Sequence, residues 1–331
     1  MELVPFEAAS PEDLGRALDA IGVAKVEAVN VLASPFLQVS RPQIIAQMRD
    51  HRLPAIYQWP ESAEDGGLLA YGPRQLLCYR HVISLVDKVL RGAKPADLPI
   101  EQPSKFELAV NLKTERPRHD DPTDASIARR RGDRVRRRDF IALIGGAAAW
   151  PLAARAQQPA MPVIGLLSGR SPKDSVANVI AFQRGLSELG YFDGQNVEID
   201  FRWALGHYDQ LPPLAADLVR RKVTVIVATG GGVTSTRAAM AATSSIPIIF
   251  VSGGDPIDLG LVESLNKPGG NLTGVTFFLG ALEAKRLELL HELLPKAALI
   301  GALVNPTFPV SKTRLEDAQA AAQALGKKLV Y

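Results

Sequence analysis

Three short stretches place hydroxyls, glycines and a carboxylate directly after an apolar run: "LLSGRSP", "VATGGGVTST" and "VSGGDPID". In the first, Ser168 and Gly169 follow the run, and Ser171 with Pro172 suits a helix start. In the second, Thr229, Gly230, Gly231 and Gly232 precede a helix that Thr234 or Ser235 can cap. The third sets Ser252 and Asp255 before Pro256 at another helix start. Free N–H groups at helix starts favour an anion such as a carboxylate, glycine lets backbone approach a guest closely, and Asp255 can pair with an ammonium. "LVNPTF" adds Asn305, "LASPF" adds Ser34, and "IYQWPE" adds Tyr57 and Glu61, with aromatic surface for a ring or chain. This is the chemistry of recognition. Each feature also has a plain structural reading: Asp255 as an N-cap, the triple glycine as a tight turn, Tyr57 and Trp59 as core or rim aromatics.

Catalytic and metal chemistry find no support in the same residues. The five histidines are scattered, none in an H-x-x-x-H or H-E-x-x-H spacing, and Cys78 is the sole cysteine. "RQLLCYRHVISLVDKVL" around it reads as an apolar helix, so a buried structural thiol is expected. "GGGVTS" departs from G-x-G-x-x-G at Ser235, Ser252 stands where a ribose-binding carboxylate belongs, and no G-x-S-x-G elbow is present. No catalytic residue, metal ligand or cofactor site is assigned.

The net charge of +3 is local: "RRRGDRVRRR", residues 129–138, holds seven arginines against one aspartate. No aromatic or glycine pattern of a nucleic-acid module accompanies it, so a nucleic-acid partner is not expected. Residues 116–135 have almost no large apolar side chains and read as a disordered basic linker. The run from Phe140 to Ala154 is 15 residues long, too short for a spanning helix of about 20 but suited to a signal segment.

Around this middle, apolar runs alternate with helical patterns. Residues 1–115 give strands at "ELVPF", "VEAVNVL", "LPAIYQW", "GLLAYG" and "FELAVNL", with a first helix begun by Ser10 and Pro11. Residues 161–331 alternate more regularly: strands "PVIGLLS", "NVEIDFRW", "VTVIVAT", "IPIIFVS", "NLTGVTF", "ALIGALVNP" and "KKLVY" are separated by helices that include "LGLVESLN". Strands apolar on both faces, alternating with amphipathic helices, predict an α/β fold of parallel sheets covered on both sides.

The segments "RRRDFIALIGGAAAWPLAARAQQPAMPVIGLLS", "FRWALGHYDQLPPLAADLVRRKV", "IPIIFVSGGDPIDLGLVESLNKPGGNLTGVTF" and "KRLELLHELLPKAALIGALVNP" resemble solute-binding proteins of ABC importers, in the tryptophan/tyrosine-type branch. Those segments resemble the family's first half. "YRHVISLVDKVLRGAKPADLPIEQPSKFELAVNLKT" resembles its ending, so the two halves stand in swapped order here. The resemblance implies two Rossmann-like lobes of the type I periplasmic-binding-protein kind, circularly permuted or fused. Residues 1–115 correspond to the C-terminal part and 136–160 to an internal twin-arginine-type signal. Residues 161–331 correspond to the N-terminal part. The first lobe is then 161–276, and the second starts at 277–331 and is completed by 1–72. A fusion of tandem copies, a true permutant or a start near Val135 all fit.

The resemblance further implies a non-catalytic protein binding a small organic solute, such as an amino acid, in the cleft between lobes. Ser168, Gly169, Thr229, Gly230, Gly231, Ser252, Asp255, Asn305, Ser34 and Tyr57 are the candidate ligand contacts. Ser34 stands where the family's "DPF" segment carries an acidic residue. ABC permease subunits are the implied partners. Arg137 and Arg138 would be the signal's arginine pair, with Ala154 and Ala156 before the cleavage point; the protein would be periplasmic, or cytoplasmic if the internal signal is not read. A nucleotide-dependent Rossmann-type oxidoreductase and the ligand-sensing module of a regulator are the alternatives; the second would need a helix-turn-helix, and none is visible.

Overall fold

Val225–Thr229 carries apolar side chains on both faces, and such a strand is stable only with a layer packed on each side. That requirement recurs along the chain and sets the architecture. The computed structural model describes residues 1–113, 161–277 and 282–327. Among them lie strands β1 (Glu2–Glu7), β2 (Ala28–Val31), β3 (Ala55–Tyr57), β4 (Leu69–Gly72), β5 (Glu107–Val110), β6 (Val163–Ser168), β7 (Glu198–Trp203), β8 (Val225–Thr229), β9 (Ile248–Ser252), β10 (Leu272–Thr276) and β11 (Leu299–Val304). The helices are α1 (Pro11–Val23), α2 (Pro35–Val39), α3 (Arg41–Asp50), α4 (Pro60–Glu64), α5 (Gln75–Leu90), α6 (Val176–Glu188), α7 (Leu211–Arg220), α8 (Val233–Ala242), α9 (Glu283–Leu293) and α10 (Ser311–Lys327). The linker at 116–135, the signal-like segment with Arg137, Arg138, Ala154 and Ala156, and most of the final "KKLVY" strand lie outside the described residues.

Two sheets result, each the centre of a lobe. One runs β10-β9-β8-β6-β7, parallel throughout. The other runs β1-β11-β2-β3-β4-β5 and is parallel except for β5, which pairs antiparallel with β4. In this second sheet β11 is inserted between β1 and β2, with Glu2 opposite Leu299 and Ala28 opposite Ile300.

The front of the chain does not stay in one lobe. After β4 it crosses to the first sheet, where α5 packs Cys78, Val82, Ile83 and Val86 against Ile164, Leu166, Phe182 and Ile249. Glu101 then bridges to Val275 at the edge strand before the chain returns to form β5. The chain changes sheet again between β5 and β6 and between β10 and α9, four passages in all.

Local signals explain several boundaries. Ser10 Oγ accepts from the Asp13 amide at 3.1 Å and Pro11 opens α1, as its sequence requires. Ser34 does the same for α2 through the Leu37 amide, again followed by proline. Two expectations are corrected. The stretch 259–266 forms turns and bends, with no helix: Gly260 adopts φ +64°, and Pro268, Gly269 and Gly270 follow closely, leaving no room for a second helical turn. The cap of α8 is Gly232 at φ +59°; Thr234 and Ser235 lie inside the helix, and Ser235 Oγ donates to the Thr229 carbonyl at 3.0 Å.

Candidate functional site

Parallel sheets leave a crevice beyond their strand C-termini. Here both sheets point those ends toward one cleft of about 630 Å³, open to solvent. The first lobe supplies Arg170 after β6, Thr229 and Gly230 at the end of β8, and Phe277 after β10. The second supplies Ser34 after β2, Trp59 after β3, and Phe308 and Arg314 beyond β11. Tyr79 and Gln75, on the helix that crosses between lobes, complete the wall. A smaller adjoining hollow of about 280 Å³ runs past Ser168, Asn178, Phe182 and Trp203.

The glycine loop is shaped by space as well as torsion. Gly230 holds φ +71°, and a Cβ there would lie 2.5 Å from Ser168 Oγ. A Cβ on Gly169 would lie 2.8 Å from the Gly231 Cα, so the loops after β6 and β8 touch backbone to backbone. Gly232 faces the Phe308 ring across the cleft. Thr229 Oγ1 and Tyr79 Oη are 3.3 Å apart.

Arg314 is the dominant electrostatic feature. Only 4% exposed, it donates to the carbonyls of Ala33 at 2.6 Å and Gly253 at 3.1 Å, and its guanidinium lies 5.7 Å from the Phe308 ring centre. Burial pushes its pKa down to about 10; Glu283 and Asp317 oppose that shift, and Arg286 adds to it. Behind it, Glu283 and Arg286 form a fully buried pair at 2.8 Å, with Asn30 on the second Glu283 oxygen. Trp59 meets Phe277 edge to face at 5.2 Å.

The sequence candidates divide. Ser34, Ser168, Thr229 and Gly230 line the cleft or its adjoining hollow. Gly169 and Gly231 stand behind that wall, supporting it by their close contact. Four others do not face the space. Asp255 closes a turn by accepting from the Ile257 amide at 2.8 Å, and no helix starts there for it to cap. Ser252 Oγ accepts from the Gly254 amide at 3.3 Å, and Asn305 Oδ1 is held by Thr307. Tyr57 packs in the core with Leu14, Ile44 and Met48, and burial raises its pKa. Glu61, also singled out, is occupied by the Gln75 amide at 3.0 Å.

Sequence reasoning missed Arg170, Arg314, Tyr79, Asn178 and Phe308. Arg170 stood inside a quoted loop, directly after Ser168 and Gly169. Arg314 lies in "SKTRLEDAQ", whose composition signals a solvated helix face; contacts distant in the chain, with Ala33 and Gly253, accompany its burial. Among the described residues no cluster of His, Cys, Asp or Glu could hold a metal, and no helix is long and apolar enough to cross a membrane.

The cleft between two parallel-sheet lobes is the form of a binding protein, and the comparisons agree. The family model described as "ABC transporter substrate binding protein" matches residues 1–118 and 160–331, and the chain belongs to that family. It is 38% identical over 136 residues to a tyrosine-binding protein of Clostridioides difficile (strain R20291), covering 41% of this chain and 38% of that one. A Streptococcus pneumonia ABC domain solved with L-Trp is 32% identical over 50% of this chain and 54% of its own, with a TM-score of 0.42. A conserved domain protein of Vibrio cholerae O1 biovar El Tor is 26% identical over 50% of this chain and 55% of its own, with a TM-score of 0.45. The chain thus spans about half or less of the length of these relatives.

Proposed function

We propose that this protein is the solute-binding component of an ABC importer, closing its lobes on a small organic solute without transforming it and presenting the closed form to permease subunits. The observation that carries this reading is the shared cleft: both sheets end there, and Trp59, Phe277 and Phe308 give it aromatic surface beside polar Ser34, Thr229 and Tyr79. That lining, and the tyrosine named for the 38% identical relative, support an aromatic amino acid or a close analogue as guest. Among the sequence candidates, Ser34, Ser168, Thr229 and Gly230 are the contacts we retain. Thermal-shift screening of the full chain against amino acids and small carboxylates is the test, since a ligand stabilises by RT ln(1 + [L]/Kd). A rise in melting point only with nicotinamide or flavin nucleotides would replace this reading with the oxidoreductase.

The swapped order of the halves belongs to the same proposal. What supports it is the pairing of β11 between β1 and β2. A Cβ on Gly326 would lie 2.3 Å from the Met1 nitrogen, so α10 ends against the start of β1. A rearranged chain running 161–331 and then 2–113 should fold and bind like the original; an unfolded product would refute the permutation. Periplasmic export through Arg137 and Arg138, with cleavage after Ala156, is tested by mass spectrometry of the mature N-terminus. An uncleaved species beginning near Glu2 overturns it.

A further inference from the structure

The cleft has a one-sided charge. Its two charged side chains are both guanidiniums, Arg170 and Arg314, and among the described residues no Asp or Glu lines either the cleft or its adjoining hollow. Neither guanidinium forms an ion pair among the described residues: Arg314 is held by two carbonyls, and Arg170 Nε is buried without a partner. The carboxylate behind Arg314, Glu283, is already shared between Arg286 and Asn30. Arg314, buried and hydrogen-bonded to carbonyls alone, and the half-buried Arg170 together favour an anionic guest that supplies the charge no carboxylate of the cleft wall provides. The opposite end of an amino acid finds no such complement. Asp255, the carboxylate in the loop after β9, spends an oxygen on the Ile257 amide and does not line the cleft. A guest ammonium would therefore enter the field of two like charges with only neutral oxygens to receive it.

We propose that the cleft prefers an aromatic carboxylate lacking an ammonium group over the corresponding zwitterionic amino acid, with Arg170 and Arg314 setting the preference. Trp59, Phe277 and Phe308 take the ring, and the guanidiniums take the carboxylate. The inference rests on the solute-binding reading above and narrows it.

The test is isothermal titration of the full chain with pairs differing only in the amine: phenylalanine against 3-phenylpropionate, and tryptophan against indole-3-propionate. Neutral 3-phenylpropionamide serves as the uncharged control. Each acid without the amine should bind about tenfold or more tighter than its amino acid and than the amide. Arg170→Gln should remove about tenfold of the acid's advantage over the amide. The comparison of pairs on the unaltered protein stands whether or not the variant folds. Phenylalanine or tryptophan binding as tightly as its partner acid would overturn the inference and leave the solute-binding reading intact. If the amide is weakened by Arg170→Gln as much as the acid, the charge assignment falls. Should no acid, amide or amino acid bind at all, both readings fall together.

Discussion

Arg314 and Gly253 belong to different lobes and are joined by a hydrogen bond of 3.1 Å from Nη2 to the carbonyl. The same guanidinium donates to Ala33 in its own lobe at 2.6 Å, so one buried side chain ties the loop after β9 to the loop after β2. Replacing it frees two carbonyls but also removes the cost of a buried cation, and these oppose each other. Arg314→Met is expected to lower stability by about 1–3 kcal/mol in denaturant titration. It should also broaden the spread of lobe separations seen by solution scattering.

Gly232 is fixed by torsion and by space at once. At φ +59° an L-residue is strained, and a Cβ would lie 2.9 Å from the Phe308 ring. Gly232→Ala should cost about 1–2 kcal/mol from the backbone alone. Binding, measured by titration calorimetry, should weaken further as Phe308 is displaced from the cleft.

Trp59 reports on the cleft. It is 5% exposed, lines the cleft and contacts Phe277, whereas Trp203 stacks on Phe201 at 5.5 Å in the first lobe. A bound guest should change the indole emission, and Trp59→Phe should abolish most of that change in a fluorescence titration. Trp59→Ala should cost about 3–5 kcal/mol in stability, as deletion of a large buried ring does.

Asp217 supplies a pH-dependent contribution. Arg202 and then Arg220 hold its carboxyl below the usual range. A depressed folded-state pKa contributes stability above the unfolded carboxylate value and loses it as pH falls through the folded one. Asp217→Asn should therefore destabilise the protein at neutral pH. The difference from the unaltered chain should shrink in acid, as followed by urea midpoints from pH 7 to pH 3.

How far the sequence reaches is clear from particular residues. Strands β6, β8 and β9 were legible because their side chains are apolar on both faces, a pattern that leaves few alternatives. The start of α1 was legible because Ser10 and Pro11 act locally. Residues 259–266 were misread because apolar spacing suggested a helix where Gly260 and the Pro-Gly-Gly that follows enforce turns. Tyr57 and Trp59 looked equivalent, yet only Trp59 reaches the cleft; Tyr57 packs into the second lobe's core. Arg314 was beyond reach for a deeper reason: its burial comes from Ala33 and Gly253, far away in the chain.

The place of β11 between β1 and β2 also governs how the molecule is made. A ribosome that has released β1 to β5 has exposed a sheet with the slot between β1 and β2 vacant, and the strand that fills it emerges only after every strand of the other sheet. Until then the facing edges of β1 and β2 carry unpaired amides and carbonyls open to the wrong neighbour. Nascent chains should therefore depend on a holding chaperone until β11 has emerged, and truncation just before Leu299 should yield aggregate in place of a folded lobe.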